Sequence, residues 1–232
     1  MRPFIVCLDP GHGPGCANRS PDGSYQEQEF AYDVACRVKA RLEARGVEVV
    51  LTRDAEGYPS LSQRCLVSNG SGAHAFVSLH SNAAGNGGWG SASGLEMYTS
   101  AGPDTAPRNV LAQRLKERFE AEGVALRTVP IRHYGYAVLT GTEAPAVLIE
   151  YGFHTSRSDT ALLLDGAYRE KLARATADGI CAFLGVAWRE ETAGESDRDT
   201  VQRRFRLADE TMDYLSAYRY ADALLRRLAT GA

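Results

Sequence analysis

The chain has 232 residues, with 26 Lys and Arg against 29 Asp and Glu, a formal net charge of −3. That balance gives no electrostatic reason to expect nucleic acid as a partner, and no apolar run approaches the roughly 18 residues that membrane insertion requires. With 44% apolar and 24% charged residues, the chain can bury one core of about 180 residues and carry a short extension.

The first apolar run, residues 4–9, reads as a buried strand, and a loop rich in Gly, Pro, Ser and Asn follows over 10–26. Phe30, Val34, Val38 and Leu42 recur every four positions, a helix stripe that Gly46 closes. VEVVLTR (47–53) is the next strand, residues 60–69 fit a helix, and AFVSLH (75–80) is a third strand. This alternation argues for a mostly parallel, twisted sheet flanked by helices, an α/β fold. A flexible loop holding Trp89 leads to LEMYTS (95–100), which alternates as an edge or antiparallel strand does. Residues 107–122 read as a helix, 131–139 as a short strand, AVLIEYG (146–152) as a buried strand and 158–184 as one long helix.

Composition then divides the chain into a domain over 1–186, a polar linker over 187–199 and a short helical extension over 200–232. In the extension Val201, Phe205, Met212, Leu215, Tyr218, Leu225 and Leu228 offer an apolar surface. About 30 residues rarely bury a core alone, so the extension is expected to dock, to form a homo-oligomer or to engage another partner.

Three polar residues close apolar strands: His12 after FIVCLDP, His80 after AFVSL and Glu150 within AVLIEYGF. In open α/β sheets ligands gather beyond the carboxyl ends of the strands. Two imidazoles and carboxylates converging there point to a metal-assisted hydrolase, with Zn2+ the cation that suits such donors. An anionic ligand is expected from QEQEF (26–30). Glu27 and Glu29 both stand at a helix start, where acids are also favoured simply by the helix dipole, and local physics does not choose between them. Glu150 interrupts an apolar strand, where a carboxylate is costly unless it pairs, binds metal or lines a cleft; burial would raise its pKa and suit it to general acid–base work.

Other chemistries lack their patterns. DPGHGPG has neither the Lys–Ser/Thr of a P-loop nor G-x-G-x-x-G spacing, and H-E-x-x-H and G-x-S-x-G are absent. The five cysteines are odd in number and form no C-x-x-C, so free thiols are expected, with Cys16 alone close enough to His12 to act as ligand or nucleophile. His133 and His154 are weaker candidates to line a cleft, and His74 is expected to face solvent. The start of the chain runs straight into a strand without the pattern of a secretory signal, so synthesis in the cytoplasm without a signal peptide is expected.

IVCLDPGHG, the E-x-[DE] element at 27–29, RLEARGVEVVLTR, FVSLHSNAA and AVLIEYGFHTSRSD, in this order and spacing, resemble the zinc-dependent N-acetylmuramoyl-L-alanine amidases of the type 3 amidase family over residues 3–184. The resemblance implies one zinc ion held by His12, Glu27 and His80. It selects Glu27 over Glu29 and makes Glu150 the catalytic carboxylate. It also implies hydrolysis of the amide between N-acetylmuramic acid and L-alanine in peptidoglycan, with Arg132, Tyr134 and the Trp89 loop as candidate substrate contacts. Gln28 stands where the family usually has a basic residue, and His154–Thr155–Ser156 where its last motif usually carries an Asn. A wall enzyme without an export signal is expected to reach its substrate after holin-mediated release or lysis, as phage endolysins and related autolysins do; the small C-terminal module would then bind wall or assemble subunits. The competing readings are a zinc peptidase acting on stem peptides and a non-catalytic wall-binding module of the same fold.

Overall fold

The computed structural model describes residues 3–187, 197–208, 211, 212, 215 and 221–230. Two compact units divide between Trp188 and Arg189.

The first unit is built on a six-stranded sheet: β1 (Ile5–Pro10), β2 (Glu48–Leu51), β3 (Ala75–Asn82), β4 (Leu95–Thr99), β5 (Leu126–His133) and β6 (Ala146–Phe153). The strands lie in the order β2-β1-β3-β6-β4-β5. Neighbours are parallel except β4 and β6, which run antiparallel. The sheet is thus mostly parallel, as the strand–helix alternation predicts, and LEMYT is an interior strand rather than an edge.

Alternate side chains divide the sheet into two unequal faces. Val6, Leu8, Val77, Leu79, Met97, Val147, Ile149 and Tyr151 belong to the large core cluster. Three long helices bring apolar stripes to that cluster: α1 (Glu27–Glu43), α3 (Pro107–Ala121) and α6 (Gly166–Leu184). The opposite face carries Cys7, Phe76 and Leu148, packed with Cys65, Val138 and Leu139 in a smaller cluster. Its cover is α2 (Leu61–Ser71) and the single-turn α4 (Ala137–Thr140). By strand alternation Asp9, Ser78, His80, Glu96 and Glu150 project to this less covered side.

Local chemistry explains most element ends. Ser60 and Gln63 form a reciprocal capping box at the start of α2, and Gly72 ends it in the left-handed conformation (φ 64°). Pro107 opens α3, where its missing N–H is harmless. Two expected elements differ. The single helix over 158–184 is two, α5 (Arg157–Leu164) and α6, because the Asp165 carboxylate accepts hydrogen bonds from Ala167 N (2.7 Å) and Tyr168 N (3.0 Å) and caps a new helix. The strand expected at 131–139 lies at 126–133, and α4 follows it. β5 is the edge strand, its register slips against β4 between Leu95 and Met97, and it contains Pro130, which suits only an edge or bulge.

The second unit includes α7 (Asp197–Phe205) and α8 (Ala221–Thr230), with a small cluster of Val201, Met212 and Leu225 joined by Leu207, Leu215 and Leu228. Helix α7 begins inside the expected linker. Phe205 is exposed rather than part of the cluster. Tyr218 and most of that linker lie outside the described residues.

Where α6 crosses α3, Gly179 is the contact: a Cβ there would stand 2.8 Å from the Leu115 Cα and 3.2 Å from its N. Helix propensity alone favours Ala over Gly by about 1 kcal/mol, but the clash is with backbone. Gly179→Ala is therefore expected to lower stability by about 1–3 kcal/mol in urea unfolding; a stabilised variant would contradict this packing.

Candidate active site

Three segments deliver the site's polar groups. His12 lies in the loop after β1, at φ 56°, the left-handed backbone that residues with a Cβ rarely adopt. Two neighbouring glycines allow this tight path. A Cβ on Gly11 would meet the His80 ring at 2.4–2.8 Å, and one on Gly13 would meet the Tyr58 Cβ at 2.6 Å. Glu27 occupies the first turn of α1 and is almost wholly buried, whereas Glu29 is exposed. His80 lies near the end of β3, paired in register with Glu150 of β6, which in turn pairs with Glu96 of β4. Glu96, Glu150 and His80 thus form one row across three strands.

The Glu27 carboxylate is where these segments meet. Its Oε1 accepts a hydrogen bond from Ser81 N (3.0 Å) and lies 3.0 Å from His80 Nδ1 and 3.1 Å from His12 Nε2. The two imidazoles stand edge to face, centroids 4.9 Å apart. One donor atom from each of His12, Glu27 and His80 lies within 4.8 Å of the others, a spacing that could hold one metal ion. Burial opposes ionisation of Glu27, but the hydrogen bonds and charges of the two imidazoles outweigh it and hold the carboxyl well below the usual range. Its Oε2 is buried without a hydrogen-bond partner among the described residues; His154 Nδ1 lies 3.8 Å from it.

Glu150 has a different environment. Burial first, then the negative charges of Glu27 and Glu96, push its carboxyl well above the usual carboxylate range, and its Oε2 has no hydrogen-bond partner. Glu96 is more deeply buried and is met by cations: Arg127 Nε lies at 3.0 Å and Arg132 Nε at 3.2 Å, and Asn82 and Tyr98 each donate to Oε1 at 2.8 Å. A cleft of about 500 Å³ joins these groups. His12, Glu27, His80, Glu150 and His154 line its polar side; Tyr58, Leu61, Tyr136, Val138 and Leu148 line its apolar side.

The four residues singled out in the sequence therefore converge. The weaker candidates separate. His154 lines the cleft, its Nδ1 donating to the Ser81 carbonyl at 3.0 Å, and burial pushes its pKa down. His133 instead bonds Thr99, and His74 accepts from Ile5 N at 3.1 Å. All five cysteines are free, and Cys16 belongs to neither the metal-type group nor the cleft lining. Arg132 is engaged by Glu96, Tyr134 packs on Tyr136, and the Trp89 ring lies under Arg157 at 4.4 Å. Ser156, in the motif position that departs from the family, caps α5 through Asp159 N. Sequence reasoning missed Glu96, although it interrupts an apolar strand as Glu150 does. It also missed Asp9, which lines the cleft and whose carboxylate accepts from Arg64 Nη1 (2.7 Å) and Ser78 Oγ (2.6 Å).

The raised Glu150 pKa has a consequence for the metal-free protein. A carboxyl whose folded-state pKa exceeds its unfolded value contributes stability below the unfolded pKa, and that contribution is lost as pH rises through the folded pKa. In the presence of chelator, Glu150→Gln should therefore be more stable than the parent at neutral pH and lose less stability between pH 5 and 8. Parallel stability–pH curves in urea unfolding would refute this environment for Glu150.

Comparisons with known proteins identify the fold and the family. The catalytic domain of CwlV, an N-acetylmuramoyl-L-alanine amidase from Bacillus (Paenibacillus) polymyxa, superposes with a TM-score of 0.71 at 30% identity, covering 79% of this chain and 99% of that one. An N-acetylmuramoyl-L-alanine amidase from Clostridium difficile 630 gives 0.73 at 26% identity, covering 81% and 100%. Among curated relatives, LytC of Bacillus subtilis is 29% identical over 178 residues, 77% of this chain, which spans only 35% of that relative's length. CwlM of Bacillus licheniformis is 30% identical over 187 residues, 78% of this chain and 69% of its own. The family described as N-acetylmuramoyl-L-alanine amidase matches residues 6–182, and the chain belongs to that family.

Proposed function

We propose that the chain hydrolyses the amide between N-acetylmuramic acid and the L-alanine of the peptidoglycan stem, using one zinc ion held by His12, Glu27 and His80. The observation that carries this reading is the register of β3 and β6, which pairs His80 with Glu150 and puts a metal-type donor group in one cleft with a carboxyl whose Oε2 is buried and has no hydrogen-bond partner. The residues fit the metal: two imidazoles and a carboxylate match the donor sets of catalytic zinc sites that keep an open position, and Glu27 Oε2 lacks any hydrogen-bond partner. When bound, zinc supplies Lewis acidity to the amide carbonyl and makes water more acidic.

Glu150 takes a proton from the attacking water as its oxygen bonds to the carbonyl carbon. It then returns that proton to the alanine nitrogen as the C–N bond breaks. A carboxyl held above the usual range by burial is suited to giving the proton back. Tyr136, Val138 and Leu148 form an apolar wall that limits water beside it. Residues 1–186 form the catalytic domain in this reading, 187–199 the linker and 200–232 a small helical module, with the cell wall as the place of action.

Chelation should abolish lysis of purified walls and Zn2+ should restore it. Digestion should release new N-terminal alanine without new reducing sugar ends; reducing ends instead would make the chain a glycosidase, and N-termini other than alanine a stem peptidase. Glu150→Gln should retain metal, measured by elemental analysis, and lose about 10²–10⁴-fold in turnover. Turnover near the parent's would remove Glu150 from the catalytic role.

A further inference from the structure

Arg53, which follows β2, is a buried cation, 5% exposed. Among the described residues its hydrogen bonds go to four carbonyls and none to a carboxylate. Nε donates to Pro10 O at 3.0 Å, Nη1 to Asp54 O at 3.0 Å, and Nη2 to both Gly11 O (3.2 Å) and Gln28 O (2.9 Å). The Tyr32 ring packs beneath it, with the guanidinium carbon 5.3 Å from the centroid. Burying a charge against backbone dipoles alone is costly, so the placement calls for an explanation.

The carbonyls it joins supply one. Pro10 and Gly11 immediately precede His12, and Gln28 immediately follows Glu27. One guanidinium therefore ties the strained loop that carries one donor to the helix turn that carries another. Arg64 braces the same loop from α2, donating to Pro10 O (2.7 Å) and His12 O (2.5 Å), but it pairs with Asp9 and makes no contact with α1 among its hydrogen bonds. Of the two arginines, only Arg53 bonds both segments; it acts beside Asn18, whose Nδ2 lies 3.3 Å from His12 Nε2 and whose carbonyl accepts from Glu27 N at 3.0 Å. Lysine, a compact charge without a planar fork, does not reproduce this reach.

We infer that Arg53 is a positioning residue that sets the spacing of His12 and Glu27 for metal binding. This rests on the reading of His12, Glu27 and His80 as the ligands. The test uses the full chain and measures the Zn2+ dissociation constant by chelator competition, the visible absorption of the Co2+-loaded form, and melting temperatures with and without Zn2+. Arg53→Lys and Arg53→Gln should weaken Zn2+ binding about 10–100-fold, the range for residues that orient metal ligands. They should also alter the Co2+ bands and shrink the rise in melting temperature that Zn2+ produces. A merely structural role lowers both melting temperatures equally and leaves the dissociation constant unchanged, and that result overturns the inference. Loss of folding in both variants overturns it too, because Arg53 would then act on the fold as a whole. If the parent chain binds neither Zn2+ nor Co2+, the ligand reading itself falls; if the parent binds and the variants match it, only the role of Arg53 does.

Discussion

A carboxylate taken out of water is tolerated only where other groups replace its hydration, and in this chain the Glu27 carboxylate makes that demand. The Ser81 N–H and the two imidazoles meet it together. They come from two places, the end of β3 for Ser81 and His80 and the loop after β1 for His12, and meet at the first turn of α1. Much that looks incidental elsewhere serves this meeting. Gly11 has no Cβ because the His80 ring occupies its place, His12 takes a left-handed backbone, and two buried arginines hold the carbonyls of that loop.

The cleft exists because the sheet is covered unevenly. Three long helices seal one face, while α2 and a single turn, α4, cover only part of the other. Polar side chains that alternate onto the second face remain accessible at the carboxyl ends of β1, β3 and β6. The row of Glu96, Glu150 and His80 then separates two carboxyls by environment. Glu96 is met by two arginines, and Glu150 is desolvated beside the like charges of Glu27 and Glu96. Such a divergence is how one fold assigns different duties to identical side chains.

The family match ends at residue 182 and so does not reach α7 and α8. That second unit encloses a core of three buried apolar side chains among the described residues, small even for its length. Its arginines partly serve its own helices: Arg204 donates to the carbonyls of Leu228 and Ala229 near the end of α8.

What the amino-acid order determined alone was whatever local periodicity encodes. The strands at 4–9, 47–53, 75–80 and 146–152 are apolar runs bounded by turns. The stripe on α1 recurs every four residues, and a histidine or glutamate closing such a run marks the chemical edge of the sheet. The preference for Glu27 over Glu29 comes from the resemblance to the amidase family, since dipole arguments leave the two equal. Tertiary structure decided the rest, because those outcomes depend on partners distant in the chain. The slipped β5 with its Pro130 carries no period to read, and Asp165 splits a continuous apolar stripe by capping. The different surroundings of Glu96 and Glu150 follow from which strand-borne arginines reach them, Arg127 and Arg132 meeting Glu96. Arg53 is an ordinary strand-end cation until folding sets the carbonyls of residues 10, 11 and 28 around it.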